Sequence, residues 1–553
     1  MSSPLVTDPL TGQLIYDRCM MWTNATDSTS NKSTVRCQYG QDYDRAGFEE
    51  KGTMTMEWDL VCEKDLYVET SQTVFNVGVC LGAAFCTPWA DKFGRKKLFF
   101  VSLFFMLLFG MCMAFSPNYV AFCSFQFLTG AFSQGLVMAG FVTACEVFHR
   151  DLRTIMAPAA YLFWAAGMMS LTIFAYFIRN WRNFQLAISI PPVIFFVYYW
   201  WCPESLRWLV ANGKYDEAME ILQKAAKFNG KPPLPKGILE SGTGKMLADS
   251  ERPTIFRMMK NRKTLSYMAV MLFLVFANNV MYFGLSLLTS VLAGDRYINF
   301  FIVSVIEVPG VLTVIYLINR FGRRWPLCFF HIFSGIFMGF SGLFATESIN
   351  LDEGVDRAML VGIMAIVAKF GVSGAFCIEL IYAQEIYPTV IRSTGLGITA
   401  GFGFVGAILA PYSVYLFRIN PTIPGFIFGG MSIIAGCLTL LEPETLGRPL
   451  PDTVEQIAAW PRALTSEEKE ALKKMKMFGR SVEPRDNKED QKKAYTTAAS
   501  GHMYQNGSMS PMPGGYGEKG GTTGQNAKSL PKGHVKGSDN PAFDAGSVDS
   551  TLL

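Results

Sequence analysis

Residues 90–97 read ADKFGRKK, between SQTVFNVGVCLGAAFCTPW (71–89) and LFFVSLFFMLLFGMCMAF (98–115). Lys92, Arg95, Lys96 and Lys97 thus stand between two apolar runs that are each close to the length a helix needs to cross a bilayer, about 20 residues. The stretch INRFGRRW (318–325) sets Phe-Gly-Arg and a basic cluster between apolar runs a second time. Lipid leaves backbone polar groups no outside partner, so such runs satisfy themselves as helices. The bulk numbers agree. Half of the 553 residues are hydrophobic and only 17% are charged, against about 25% in soluble domains. The net charge of +4 is small for this length, and no basic domain with interleaved aromatics points to nucleic acid.

Apolar runs predict eleven spans, at about 71–90, 98–115, 119–145, 156–178, 184–201, 264–289, 297–318, 326–345, 357–382, 389–417 and 422–441. The links between them alternate. DKFGRKK, EVFHRDLR (146–153), the long 203–263 segment, NRFGRR and VIRS (390–393) are basic; SPN (116–118), AGDRY (293–297), TESINLDEGVD (346–356) and INPTI (419–423) are acidic or poor in Lys and Arg. RNWRN (179–183) is an exception. Basic loops stay on the cytoplasmic side, so the opening cluster is a cytoplasmic anchor between two helices.

Alternation then divides the chain. Residues 1–70 are expected outside, with sequons at Asn24 and Asn31 and with Cys19, Cys37 and Cys62 free to oxidise. Three cysteines leave one unpaired; the expected bond joins Cys37 to Cys62. The other nine cysteines lie in or beside apolar runs, as small buried hydrophobes. Residues 71–202 form a first bundle, 203–263 a cytoplasmic helical insert broken at Asn212-Gly213, 264–442 a second bundle, and 443–553 a polar, largely disordered cytoplasmic tail.

The bundles repeat. Phe93-Gly94-Arg95 matches Phe321-Gly322-Arg323, EVFHRDLR matches EIYPTVIR (385–392), and PESL (203–206) matches PETL (443–446), at offsets of 228, 239 and 240. Three matches in one order at nearly one spacing make two homologous halves in the same topological sense. Parallel repeats about an axis along the membrane normal describe a carrier that rocks two bundles around a midplane site.

Residues 56–450 resemble the organic cation/anion/carnitine transporters of the major facilitator superfamily. The resemblance rests on EWDLVC (57–62), DKFGRKK, WRN (181–183), PESLRWL (203–209), EVPG (307–310), NRFGRR, EIYPTVIR and PETLGRPLPDT (443–453). It implies an all-α major facilitator fold and transport of small charged or zwitterionic organic solutes across the plasma membrane, with no cofactor and no metal. It implies an inner gate in which Asp91, Gly94 and Arg95 work with Glu146 and Arg153, and Arg323 with Glu385 and Arg392. Members of this family have twelve spans, with a helix ahead of the glycosylated outer loop. Residues 1–70 hold no long apolar run, so eleven spans are expected here, with the usual first helix missing.

Ionisable residues inside spans are costly and tend to be functional. Glu307, Lys369 and Glu379 lie well inside. Glu307 and Lys369 either neutralise each other or serve the cavity. Glu379 lies about 9 Å deeper than Glu385 along its helix and either attracts a cation or is a hydrogen-bonded Glu near the wetter end. In the next helix, the resemblance places at Phe404 the Arg of the family's anion and carnitine transporters; that Arg is absent, as is the Asp that cation transporters carry in this helix, and a cation or zwitterion is favoured over an anion. Tyr282, Asn278, Tyr161 and Trp164 are candidate aromatic and polar walls, and Gln134 a candidate polar residue of the third helix. Most aromatics in such a chain only pack.

Other classes fare worse. No HExxH, GxSxG or P-loop supports an enzyme, and the two-half repeat favours a carrier over a channel. An organic anion transporter, or a non-transporting scaffold or receptor, are the remaining alternatives. The C-terminal Thr551-Leu552-Leu553 resembles a PDZ ligand.

Overall fold

In the computed structural model the described residues are 5–7, 14–16, 19–22, 34–36, 52–147, 150–233, 256–288, 294–346, 356–388, 391–448, 450–451, 453–466, 468 and 470. The described residues up to Thr465 belong to one compact unit. Asn24, Asn31, Cys37 and the C-terminal Thr551-Leu552-Leu553 lie outside the described residues.

Two short antiparallel pairs come first, β1 (Leu5–Thr7) with β2 (Leu14–Tyr16) and β3 (Met20–Trp22) with β4 (Thr34–Arg36). Beside β3, Cys19 is disulfide-bonded to Cys62, with 5.6 Å between the Cα atoms. This corrects the expected Cys37–Cys62 bond. Spacing along a chain does not fix connectivity; the approach of β3 to the turn before the first long helix does.

Next come α1 (Met54–Trp58) and α2 (Leu66–Phe93), then α3 (Arg95–Ala114), α4 (Tyr119–Val147), α5 (Arg150–Phe177) and α6 (Trp181–Ser189). The insert holds α7 (Leu206–Ala211), capped by Ser205, then α8 (Tyr215–Phe228) and α9 (Phe256–Lys260). The second bundle is α10 (Arg262–Leu288), α11 (Arg296–Phe321), α12 (Arg324–Phe344), α13 (Arg357–Ile386), α14 (Arg392–Leu409), α15 (Tyr412–Ile419) and α16 (Thr422–Thr439), followed by α17 (Val454–Ala459).

Ten helices are long and apolar enough to cross a membrane among the described residues. They coincide with ten of the eleven expected spans. The eleventh, 184–201, departs from the expectation. Here α6 stops at Ser189, and Pro191–Tyr199 continue as a 3₁₀ helix. Pro191 and Pro192 lack the N–H groups an α-helix would use. The segment is apolar throughout and exposes Phe195, Tyr198, Trp200 and Trp201, so composition alone reads it as one more α-helical span.

Two of the sequence signatures meet in space. Arg182 of WRN reaches Glu57 of EWDLVC at 2.7 Å and donates to the carbonyls of Ala114 and Ser116 at 2.6 and 2.8 Å. Trp181 Nε1 donates to the same carboxylate at 2.9 Å. A carboxylate, two end-of-helix carbonyls and one guanidinium thus tie α1, α3 and α6 together.

Within the first half α4 packs on α2 and α3; within the second, α12 packs on α13 and α16, and α10 on α14. The halves meet along α2 with α14 and α5 with α11. Asn76 Nδ2 donates to the Ala407 carbonyl at 2.7 Å, and Thr73 Oγ1 to the Ile408 carbonyl at 3.2 Å. Arg418 pairs with Asp65 and lies 3.4 Å from Glu69. All of these lie towards the end of the bundle opposite the basic links.

Candidate functional site

At the basic end each half closes on itself, and the two closures are copies. Gly94 ends α2 and opens α3 with φ +99°. The Arg95 and Lys96 N–H groups donate to Glu204 Oε1 at 2.9 and 3.0 Å. The Arg95 guanidinium lies 3.5 Å from Glu146, which also accepts from the Ser205 hydroxyl. In the second half Gly322 ends α11 with φ +91°. The Arg323 and Arg324 N–H groups donate to Glu444 at 3.0 and 3.2 Å. Arg323 lies 2.7 Å from Glu385, which accepts from Thr445 at 2.5 Å. The reason for the repeat is physical. A helix N-terminus offers unpaired N–H groups and partial positive charge, and a carboxylate answers both. Arg392 instead donates to the Tyr387 carbonyl at 3.1 Å. The side chains of Asp91 and Arg153 lie outside the described residues.

Beside the second closure, Glu442 is fully buried and both its oxygens lack a hydrogen-bond partner. Burial pushes its carboxyl well above the usual carboxylate range, and Arg324 opposes this only partly. A raised folded-state value means stability that is present in acid and lost as pH rises through that value. Glu442→Gln will therefore melt at a higher temperature than the parent chain at pH 8, and the gap will close towards pH 5. Thermal unfolding in detergent at the two pH values checks this.

Two polar sets lie between the ends, one helical turn apart along α10. The first is built on Tyr282. Trp164 Nε1, from the first half, donates to Tyr282 Oη at 2.8 Å, and Tyr282 Oη donates to Glu307 Oε1 at 2.8 Å. Lys369 Nζ donates to the Tyr282 carbonyl at 3.0 Å and to Ser286 at 2.7 Å, and lies 3.3 Å from Glu307. It also sits 3.3 Å from the centroid of the Tyr282 ring. Glu307 and Lys369 neutralise each other, and the ammonium spends its three N–H donors inside the second half.

The second set is built on Glu379. Asn278 Nδ2 donates to Glu379 Oε2 at 3.0 Å, and His331 Nε2 faces Glu379 Oε1 at 3.0 Å. His331 Nδ1 lies 3.4 Å from Ser432 Oγ, and Ser432 Oγ donates to the His331 carbonyl at 2.8 Å. Asn278 Oδ1 is buried with no partner. Sequence reasoning missed His331 and Ser432. His331 carried a signal, since it is one of four histidines and stands in an apolar run. Ser432 carried none.

The remaining expected residues scatter around these sets. Tyr161, on α5, stacks edge-on against Phe376 with ring centroids 5.7 Å apart, so it touches the second half at the same seam as Trp164. Gln134 is buried on α4, and Phe404 is half-buried on α14. Among the described residues no group of three His, Cys, Asp or Glu side chains is placed to hold a metal.

The profile of the sugar (and other) transporter family matches residues 21–456. The organic cation transporter protein of Drosophila melanogaster is 35% identical over 445 residues, 78% of this chain and 78% of its own. Organic cation/carnitine transporter 2 of Homo sapiens is 32% identical over 465 residues, 81% of each chain. This chain belongs to the organic cation/anion/carnitine transporter family of the major facilitator superfamily. It is a multi-pass membrane transporter and not an enzyme. The proton:xylose symporter XylE bound to 6-bromo-6-deoxy-D-glucose has the same fold, with a TM-score of 0.57 at 18% identity over 75% of this chain and 93% of that one. The Phe-Gly-Arg closures and the Glu57–Arg182 tie are thus parts of a major facilitator transporter.

Proposed function

We propose that this transporter is a plasma-membrane carrier of small organic cations or carnitine-like zwitterions that works by alternating access. One observation carries the reading. Glu379 is a buried carboxylate at the level of the half-to-half seam, beside an unpartnered acceptor, Asn278 Oδ1, and below the Trp164–Tyr282 pair. That is an aromatic-walled place where a carboxylate, once free of His331, can face a cation. An organic anion is disfavoured. Lys369 is already spent on Glu307, and by the resemblance Phe404 stands where the family's anion and carnitine carriers have Arg. The relatives named organic cation and organic cation/carnitine transporters support the same class.

With the basic links inside the cell, the Asn76, Thr73 and Arg418 contacts hold the outer side of the seam closed. Transport then means breaking these and rocking the halves. The closures at Glu204 and Glu444 keep each half a rigid body while it moves. Residues 1–70 would then face outside, with Asn24 and Asn31 available for glycosylation, and Thr551-Leu552-Leu553 would face any cytoplasmic PDZ domain.

The test is uptake of labelled tetraethylammonium, carnitine and p-aminohippurate into cells with surface level measured. Tetraethylammonium or carnitine will enter, and Glu379→Gln will lower uptake at least about tenfold at equal surface level. Preferred entry of p-aminohippurate sinks the reading. Silence with all three substrates would favour the scaffold alternative.

A further inference from the structure

The hydrogen bonds around His331 fix how many protons the second polar set holds. A carbonyl only accepts, so the Ser432 hydroxyl proton is committed to the His331 carbonyl at 2.8 Å. In the 3.4 Å contact with Nδ1, Ser432 Oγ is then the acceptor and Nδ1 carries a hydrogen. The other ring nitrogen faces Glu379 Oε1 at 3.0 Å, and one further proton must sit between them. The pair is either imidazolium with carboxylate or imidazole with carboxylic acid. Both forms have zero net charge. Removing the shared proton leaves charge −1 and two lone pairs facing each other at 3.0 Å. The carboxylate then has reason to leave His331, and its negative charge is free.

We propose that the His331–Glu379 pair is a proton-exchange site, at which an organic cation takes the carboxylate as the shared proton departs. This rests on the cation-carrier reading. The balance is one for one. A monovalent cation enters, one proton leaves for water, no electrons move, and the site is neutral before and after. Binding the cation without releasing the proton would leave an uncompensated positive charge in a buried site. Each cycle is therefore an electroneutral exchange of cation for proton.

The neighbours leave this pair as the titrating element. On α12 itself, Cys328 lies one turn away. On α13, Cys377 is buried, and Lys369 is held by Glu307 of α11. From α5 comes Tyr161, against Phe376 of α13. From α10 come Asn278 and Tyr282, the latter already donating to Glu307. From α16 comes Ser432. Phenols and thiols carry no charge at ordinary pH, and the Glu307–Lys369 pair cancels itself.

The test uses the full chain in proteoliposomes, with a pH dye in the lumen and potassium and valinomycin clamping the membrane potential at zero. The probe of the exchange is tetraethylammonium; carnitine, with no net charge near neutral pH, is used only to ask whether the chain transports at all. Tetraethylammonium is the sharper probe because it is permanently charged and carries no ionisable proton. Its entry will make the lumen more alkaline by one proton per molecule. A lumen one pH unit more acid than the outside will sustain about tenfold accumulation. In Glu379→Gln the carboxylate that the cation takes is gone, so tetraethylammonium entry and the proton signal will both fall at least about tenfold at equal protein level. Entry of tetraethylammonium with no change in lumen pH overturns the exchange while leaving the cation carrier intact. If neither probe enters in either direction of gradient, the carrier reading fails and the exchange falls with it. The parent chain alone decides among these outcomes, so a variant that fails to fold does not blunt the test.

Discussion

A chain carrying Lys369→Met will fail to reach the cell surface, and adding Glu307→Gln will restore most of it. Lys369 is fully buried and Glu307 nearly so, 3.3 Å apart. Removing one member leaves the other as an uncompensated charge in the bundle, a cost of about 3–5 kcal/mol. That is a large share of the roughly 5–15 kcal/mol that holds a domain folded. Two neutral side chains of similar volume remove the problem at its source. Surface biotinylation of the single and double variants makes the comparison. Equal surface levels for Lys369→Met and the parent chain would mean that the pair does not carry this load.

Gly322→Ala will abolish transport or surface delivery, and Gly94→Ala will do the same through the other half. Both glycines hold a positive φ, +91° and +99°, in backbone that a Cβ penalises by about 1–3 kcal/mol. The larger effect is steric. A Cβ on Gly322 would collide with the Glu444 carboxyl, and one on Gly94 with that of Glu204. Glu444 also accepts from the N–H groups of Thr445 and Leu446 at 2.9 and 3.0 Å, beyond those of Arg323 and Arg324. Displacing it leaves several buried donors unpaired at once, each costing about 1–3 kcal/mol. Glu444→Ala should then resemble Gly322→Ala, and the double variant should be little worse than either, because both remove the same closure. Uptake normalised to surface level reads the result; additive losses would show that the glycine acts some other way.

Much of this architecture is legible in the sequence because lipid imposes a coarse rule. Ten long apolar runs became ten long helices, and the Phe-Gly-Arg repeat became two closures of the same kind. Most of what escaped reading has one cause, contact between residues far apart in the chain. His331 gains its meaning only from Glu379, 48 positions on, and from Ser432, 101 positions on. Trp164 meets Tyr282 across 118 positions. Glu204 and Glu444 sat inside quoted motifs, yet nothing in PES or PET says that the carboxylate caps a helix more than a hundred residues away. The segment at Pro191-Pro192 shows the reverse failure, where apolar composition outweighed a local signal in plain view.

The seam opposite the basic links has a lopsided genetics. Pro411 has no N–H, so the carbonyl of Ala407, four residues earlier, has no helical donor. Asn76 of the other half supplies one at 2.7 Å. The acceptor is main chain, indifferent to which side chain stands at 407. Sequence there is free to drift among small residues without loosening the join, while Asn76 is not free at all. Natural variation along this seam should accordingly be one-sided. Its second-site suppressors should fall at Pro411, where any residue with an N–H would let α14 satisfy its own carbonyl.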